Sequence, residues 1–117
     1  MAEADRELIE AGRDAVKALG ELEAVLARSA ALLDGSVKRL EAGDDIVEIL
    51  RASSFAPIRA RTEAANDELS AARSRFRTLM FAACIARGMS RNEIASAMGV
   101  SHQLVSRYLA ESLRETD

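Results

Sequence analysis

The sequence predicts an all-α protein: a long-helix hairpin or coiled-coil-like N-terminal region running into a C-terminal three-helix head. Three observations carry that prediction. Apolar residues recur at alternating steps of three and four over two long stretches, the spacing of one helical face. β-Branched clusters and period-two alternation are missing, so no strand is expected. Gly43, Pro57, Gly88 and Gly99 stand where helices would start, turn or stop.

The first helix is expected from near Ala4 almost to Ala42, with a stripe through Leu8, Gly12, Ala15, Leu19, Leu22, Leu26, Ser29 and Leu33, continuing to Val37 and Leu40. About 38 helical residues would span about 57 Å. Asp34-Gly35 leaves two outcomes open, a continuous helix or a break, because glycine costs about 1 kcal/mol in a helix interior. Gly43 suits a C-cap, and Asp44 or Asp45 can cap a short helix, I-V-E-I-L-R-A, whose Ile46, Ile49 and Leu50 would cover the end of a bundle. Pro57 fits the first turn of the next helix, where its missing N–H is not needed. The stripe Ile58, Thr62, Ala65, Leu69, Ala72, Phe76, Leu79, Ala83 then leads to Arg87, with Gly88 as the stop. Two striped helices joined by a short clasp read as an antiparallel hairpin.

Composition narrows the function. Half the chain is apolar (49%), but only 3% is aromatic, and alanine-rich seams bury little area per residue. Self-association into a homodimer is therefore expected. The lone Cys84 reads as a buried thiol in a reducing compartment. With no leader-like start and no apolar run of membrane-spanning length, a cytoplasmic protein without membrane contact is expected. No catalytic constellation, glycine-rich phosphate loop or metal-ligand cluster is evident, so neither enzyme activity nor a cofactor or metal is expected; Asp44 and Asp45 read as helix-capping charges.

Charge is unevenly spread. Residues 1–69 hold nine Lys or Arg against fifteen acidic residues, whereas residues 70–117 hold seven Arg against four acids. The expected division follows this shift: 1–69 as a helical hairpin or dimerisation region, 70–117 as the head. A basic head can meet phosphate although the whole chain carries a formal charge of −3.

Within the head, Ser90 and Glu93 have capping-box spacing. Ile94, Ala95 and Met98 should face inward, Gly99 should turn with positive φ, and Val100 should plug the core beneath it. Ser101 should cap a second helix, 101–113, whose Leu104, Val105 and Tyr108 face inward. Ala95 matters because two helices crossing steeply need a small residue at their contact.

The run Ser90–Tyr108 resembles the prokaryotic helix-turn-helix family of repressors, resolvases and sigma-factor DNA-binding regions. The match rests on Ala95, Gly99, Val105 and the apolar set Ile94, Met98, Val100 and Tyr108. It covers about 20 residues, or about 45 with the preceding helix; the N-terminal region has no such resemblance. It implies a trihelical helix-turn-helix without a wing, since only nine residues follow Tyr108, and it implies binding to double-stranded DNA. With inward positions assigned, His102, Gln103, Ser106 and Arg107 remain for base edges, Gln103 suiting adenine and Arg107 guanine or phosphate. Arg87, Arg91, Asn92 and Ser101 are the candidate phosphate contacts; Arg73, Arg75 and Arg77 read mainly as a solvated face.

The expected function is a dimeric transcriptional regulator with its second motif helix in the major groove. A dimer would read a palindrome with half-sites about 34–36 Å apart or a multiple of that. Two other readings stand beside it: a nucleoid-type architectural protein, and a helical adaptor whose head binds a protein, with the acidic N-terminal helices as a further docking surface. An exposed polar ridge at His102, Gln103, Ser106 and Arg107 separates DNA binding from an apolar protein-binding groove.

Overall fold

The computed structural model describes residues 2–116, with side chains described through Ser112. It contains five helices: α1 (Glu3–Glu41), α2 (Ile46–Arg51), α3 (Phe55–Ala86), α4 (Arg91–Met98) and α5 (His102–Thr116). No strand occurs among the described residues, and none of their helices is long and apolar enough to cross a membrane. The chain divides into two compact units, residues 1–16 with 70–117, and residues 17–69.

Helix α1 continues through Gly35, which has no side-chain neighbour to lose or gain. Ser29 and Ser36 turn their hydroxyls back onto the carbonyls of Val25 and Leu32 (3.1 and 2.9 Å), so neither polar group competes for the helical ladder. Three later stops share one device. Gly43, Gly88 and Gly99 have φ of 91°, 96° and 68°, the left-handed region in which a Cβ is costly. After Gly43 and Gly88 the following amide reaches back five residues, Asp44 to Arg39 and Met89 to Cys84, closing carbonyls the helix leaves open.

In the unit of residues 17–69, the covered face of α1 carries Ala18, Leu22, Val25, Ser29, Leu32 and Ser36, and that of α3 carries Ile58, Thr62, Ala65 and Leu69. The α3 stripe lies where the sequence places it. The α1 stripe does not: Leu19, Leu26, Leu33, Val37 and Leu40 are 44–58% exposed. The physical reason is a degeneracy of spacing. Leu22 and Ser29 belong to two possible seams, one completed three residues later (Val25, Leu32) and one completed four residues later (Leu26, Leu33). The helix turns the first inward.

Helix α2 also departs from expectation. Ile49 alone is buried, at 2% exposure, while Ile46 and Leu50 are 56% and 62% exposed. One turn and a half presents a single position to the unit. Neither Asp44 nor Asp45 provides a side-chain cap: Asp45 has the extended backbone of an N-cap but no cap bond, and Asp44 accepts from Arg39 Nε at 2.9 Å. Pro57 occupies the first turn of α3, which begins two residues earlier at Phe55.

In the unit of residues 1–16 and 70–117, α1 and α3 run antiparallel. Arg87 pairs with Asp5 (2.9 Å), Arg75 with Asp14 (3.5 Å), and the Phe76 ring would lie 3.1 Å from a Cβ at Gly12. Gly12 thus makes room for an aromatic edge. Ala11 and Ala15 are buried on the same side.

Glu21 and Glu68 meet across α1 and α3 in the other unit. A shared hydrogen bond and like-charge repulsion from Glu21 raise the Glu68 pKa above its ordinary 4.5. A raised carboxyl pKa favours the fold fully below the unfolded value, and that contribution is lost as pH rises through the folded value. Glu68→Gln should therefore raise the melting temperature at pH 7, and its advantage over the wild type should shrink as pH falls through the raised folded value and be gone below about 4, as read by thermal melts followed by circular dichroism.

Candidate nucleic-acid interface

Local chemistry sets the α4–α5 pair. The Glu93 amide donates to Ser90 Oγ (3.1 Å) and the Ser90 amide donates to Glu93 Oε1 (3.2 Å), a complete capping box. Gly99 ends α4 in the left-handed region, and the Val100 amide donates back to the Ala95 carbonyl at 3.0 Å. Ser101 then caps α5 by accepting from the Leu104 amide at 3.1 Å. Helix α5 extends to Thr116, past the expected end at residue 113.

Beneath this turn lies a cluster of Phe81, Ile94, Ala95, Val105 and Leu109, with Val105 at 0% and Phe81 at 1% exposure. Each of α3, α4 and α5 contributes, so the cluster fixes their mutual angles. Ala95, 7% exposed, keeps the α4 contact small. Tyr108 sets its ring edge-on to Phe81 (5.7 Å, 86°). Cys84 is a free, partly covered thiol against the same cluster, as are Met89 and Val100. Met98, expected inward, is 39% exposed; the Gly99 turn returns Val100 to cover the core there instead. Leu104 is half-buried beside the cluster rather than within it.

With these residues inward, His102, Gln103 and Arg107 stand exposed along one side of α5. Ser106, on the same side, is half-buried and accepts a hydrogen bond from Arg91 Nη1 at 3.2 Å. That bond ties the guanidinium of α4 to the outer face of α5. Asn92 and Ser101 are exposed at the starts of the two helices.

The remaining arginines differ in their freedom. Asp5 holds Arg87 and, by hydrogen bond and charge, raises its pKa further, so this candidate phosphate contact already has an anion. Asp14 holds Arg75. Arg91, Arg107 and Arg73 have no carboxylate partner among the described residues. The uncompensated cations nearest the α5 start are thus Arg91 and Arg107.

One feature of the site is absent from the sequence pattern. Hydrogen bonds from Ser74, and then from Arg77, stabilise the Tyr108 phenolate and lower its pKa, against the opposing effects of burial and Glu111. Arg77 is therefore half-buried on Tyr108 rather than solvated. Only long-range packing places these groups together, so no local spacing signals it.

A shallow cleft of about 380 Å³ lies in the same unit, lined by Glu7, Ser74, Arg75, Thr78 and Glu111 among others. It mixes both charges and holds no group of three metal-ligating side chains; no such group occurs among the described residues.

The chain matches no protein-family model, and no curated protein or solved structure is significantly similar to it.

Two outcomes follow from this geometry. Gly99→Ala places a Cβ at φ 68° and should cost about 1–2 kcal/mol, and Val105→Ala should cost about 2 kcal/mol through its cavity; urea unfolding reads both. Tyr108 is the only tyrosine and there is no tryptophan, so absorbance near 295 nm reports its ionisation alone. Its midpoint should lie lower in the native protein than in urea, and Arg77→Met should move it upward. By linkage, the associated stability is present above the unfolded value of about 10 and is lost as pH falls through the folded value.

Proposed function

We propose that the chain is a sequence-specific double-stranded DNA-binding protein, acting as a dimeric transcriptional regulator, in which α4, the Gly99 turn and α5 form a helix-turn-helix. The observation that carries this reading is the outer face of α5: His102, Gln103 and Arg107 exposed together, with Arg91 fastened to Ser106 beside them. A polar ridge with two uncompensated arginines suits base edges and phosphates better than it suits an apolar protein ligand.

Each side chain has a role fitted to its chemistry. Gln103 offers the paired donor and acceptor that match adenine, and Arg107 offers the fork that matches guanine. His102, at the first turn of α5, meets a base edge or a phosphate. Ser106 is small enough for close approach and sets the Arg91 guanidinium toward the backbone. Asn92 and the capped α5 start at Ser101 supply further phosphate contacts, where the helix dipole favours negative charge. Arg87 contributes to phosphate binding only by exchanging Asp5 for phosphate.

Selection from a pool of random duplexes, followed by titration of the selected site at two salt concentrations, tests the proposal. A defined and palindromic site should emerge, and Gln103→Ala and Arg107→Ala should each weaken it about tenfold or more. Arg91→Ala should weaken all duplexes alike and reduce the salt slope. Salt-sensitive binding with no selected sequence would assign an architectural role instead. No binding at low salt would overturn the DNA reading and favour the adaptor.

A further inference from the structure

We propose that the cleft between α1, α3 and α5, in the unit of residues 1–16 and 70–117, binds a small alkylammonium ion through Glu7, Glu111 and the Thr78 hydroxyl. This site goes beyond the DNA-binding reading and uses none of its residues.

Helical periodicity builds the floor. Ala71, Ser74, Arg75 and Thr78 fall on one face of α3, each within a turn of the next. Glu7 closes the cleft from α1 and Glu111 from α5, and the space between them measures about 380 Å³, a volume typical of small-molecule sites.

Thr78 is the residue that points to a ligand. It is 6% exposed, the one buried polar side chain among the described residues. Ser29, Ser36 and Thr62 turn their hydroxyls onto the carbonyl four residues earlier, but the Thr78 hydroxyl has no hydrogen-bond partner among the described residues. No buried side-chain oxygen or nitrogen among them is sealed away unpaired. The Thr78 oxygen therefore opens into the cleft that the residue lines. An unpaired hydroxyl in so dry a position is unfavourable, and a ligand N–H placed there satisfies it.

Charge decides the sign of that ligand. Glu7 and Glu111 have no ion-pair or hydrogen-bond partner among the described residues. Arg75, the one cation lining the cleft, already holds Asp14 at 3.5 Å. Ser74 donates toward the Tyr108 oxygen, which leaves its own oxygen as an acceptor. Carboxylates and acceptor hydroxyls without a free donor suit a cation that carries N–H groups. Ala71 and Leu79 offer carbon to its alkyl stem. A metal ion fits less well, because no three ligating side chains gather among the described residues.

Titration of the full chain with n-butylammonium, followed by amide chemical shifts at constant ionic strength and without DNA, tests the proposal. Binding should saturate, with shifts centred on Glu7, Ser74, Thr78 and Glu111. Tetramethylammonium carries the charge without an N–H, and butyrate carries the opposite charge; both should bind at least about tenfold more weakly. Thr78→Val keeps the shape of the side chain and should weaken n-butylammonium about tenfold. Glu7→Gln and Glu111→Gln remove exposed charges, so each should weaken it about threefold and the pair about tenfold. Shifts that never saturate, or equal binding of tetramethylammonium, would overturn the site. So would indifference to Thr78→Val, or to the paired glutamine variant, in chains whose circular dichroism is unchanged.

Discussion

The dry contact between Phe81, Val105 and Ile94 is the constraint on which the α4–α5 face depends. Phe81 comes from the last third of α3, Ile94 from α4 and Val105 from α5, and all three are at most 2% exposed. Few large side chains are available in a chain with 3% aromatic residues, so this cluster does much of the work of fixing three helices. Ala95 lets α4 approach, and Val100 closes the end that Gly99 opens. Once those positions are fixed inward, helical periodicity leaves no choice about which side of α5 faces water. The exposed ridge of His102, Gln103 and Arg107 is thus a consequence of core packing.

The ion pairs shape what that ridge can attract. Asp5 and Asp14 on α1 neutralise Arg87 and Arg75, so the arginine excess read from residues 70–117 is partly cancelled within the unit. Both pairs are exposed, and exposed pairs contribute little to stability. Their effect is on where positive potential remains. Arg91, held by Ser106, and Arg107, on α5 itself, keep theirs.

How much of this could be read in the sequence depends on the range of the interactions. The capping box at Ser90 and Glu93, the Gly99 turn and the Ser101 cap are local, and their residues stand where the chemistry needs them. The α3 stripe is legible because one seam fits it. On α1 two apolar seams share Leu8, Ala15, Leu22 and Ser29, and spacing alone cannot rank Ala18 and Val25 against Leu19 and Leu26. Size suggests the leucines belong inside, but small residues let helices approach closely, and the leucines remain outside. Ile46, Leu50 and Met98 share a simpler cause: short helices offer fewer inward positions than their apolar residues. The Arg87–Asp5, Arg91–Ser106 and Arg77–Tyr108 contacts join residues far apart in the chain, and no local pattern encodes them.

Amide chemical shifts of the labelled protein, followed while a short duplex of mixed sequence is added at low salt, decide whether the outer face of α5 meets DNA. Perturbations should concentrate on Ser101–Arg107 and on Arg91 and Asn92, with the amides of Ile94 and Val105 in the buried cluster moving least. Perturbations centred on the outer face of α1, or none on α5 while DNA binds, would contradict the assignment of that ridge.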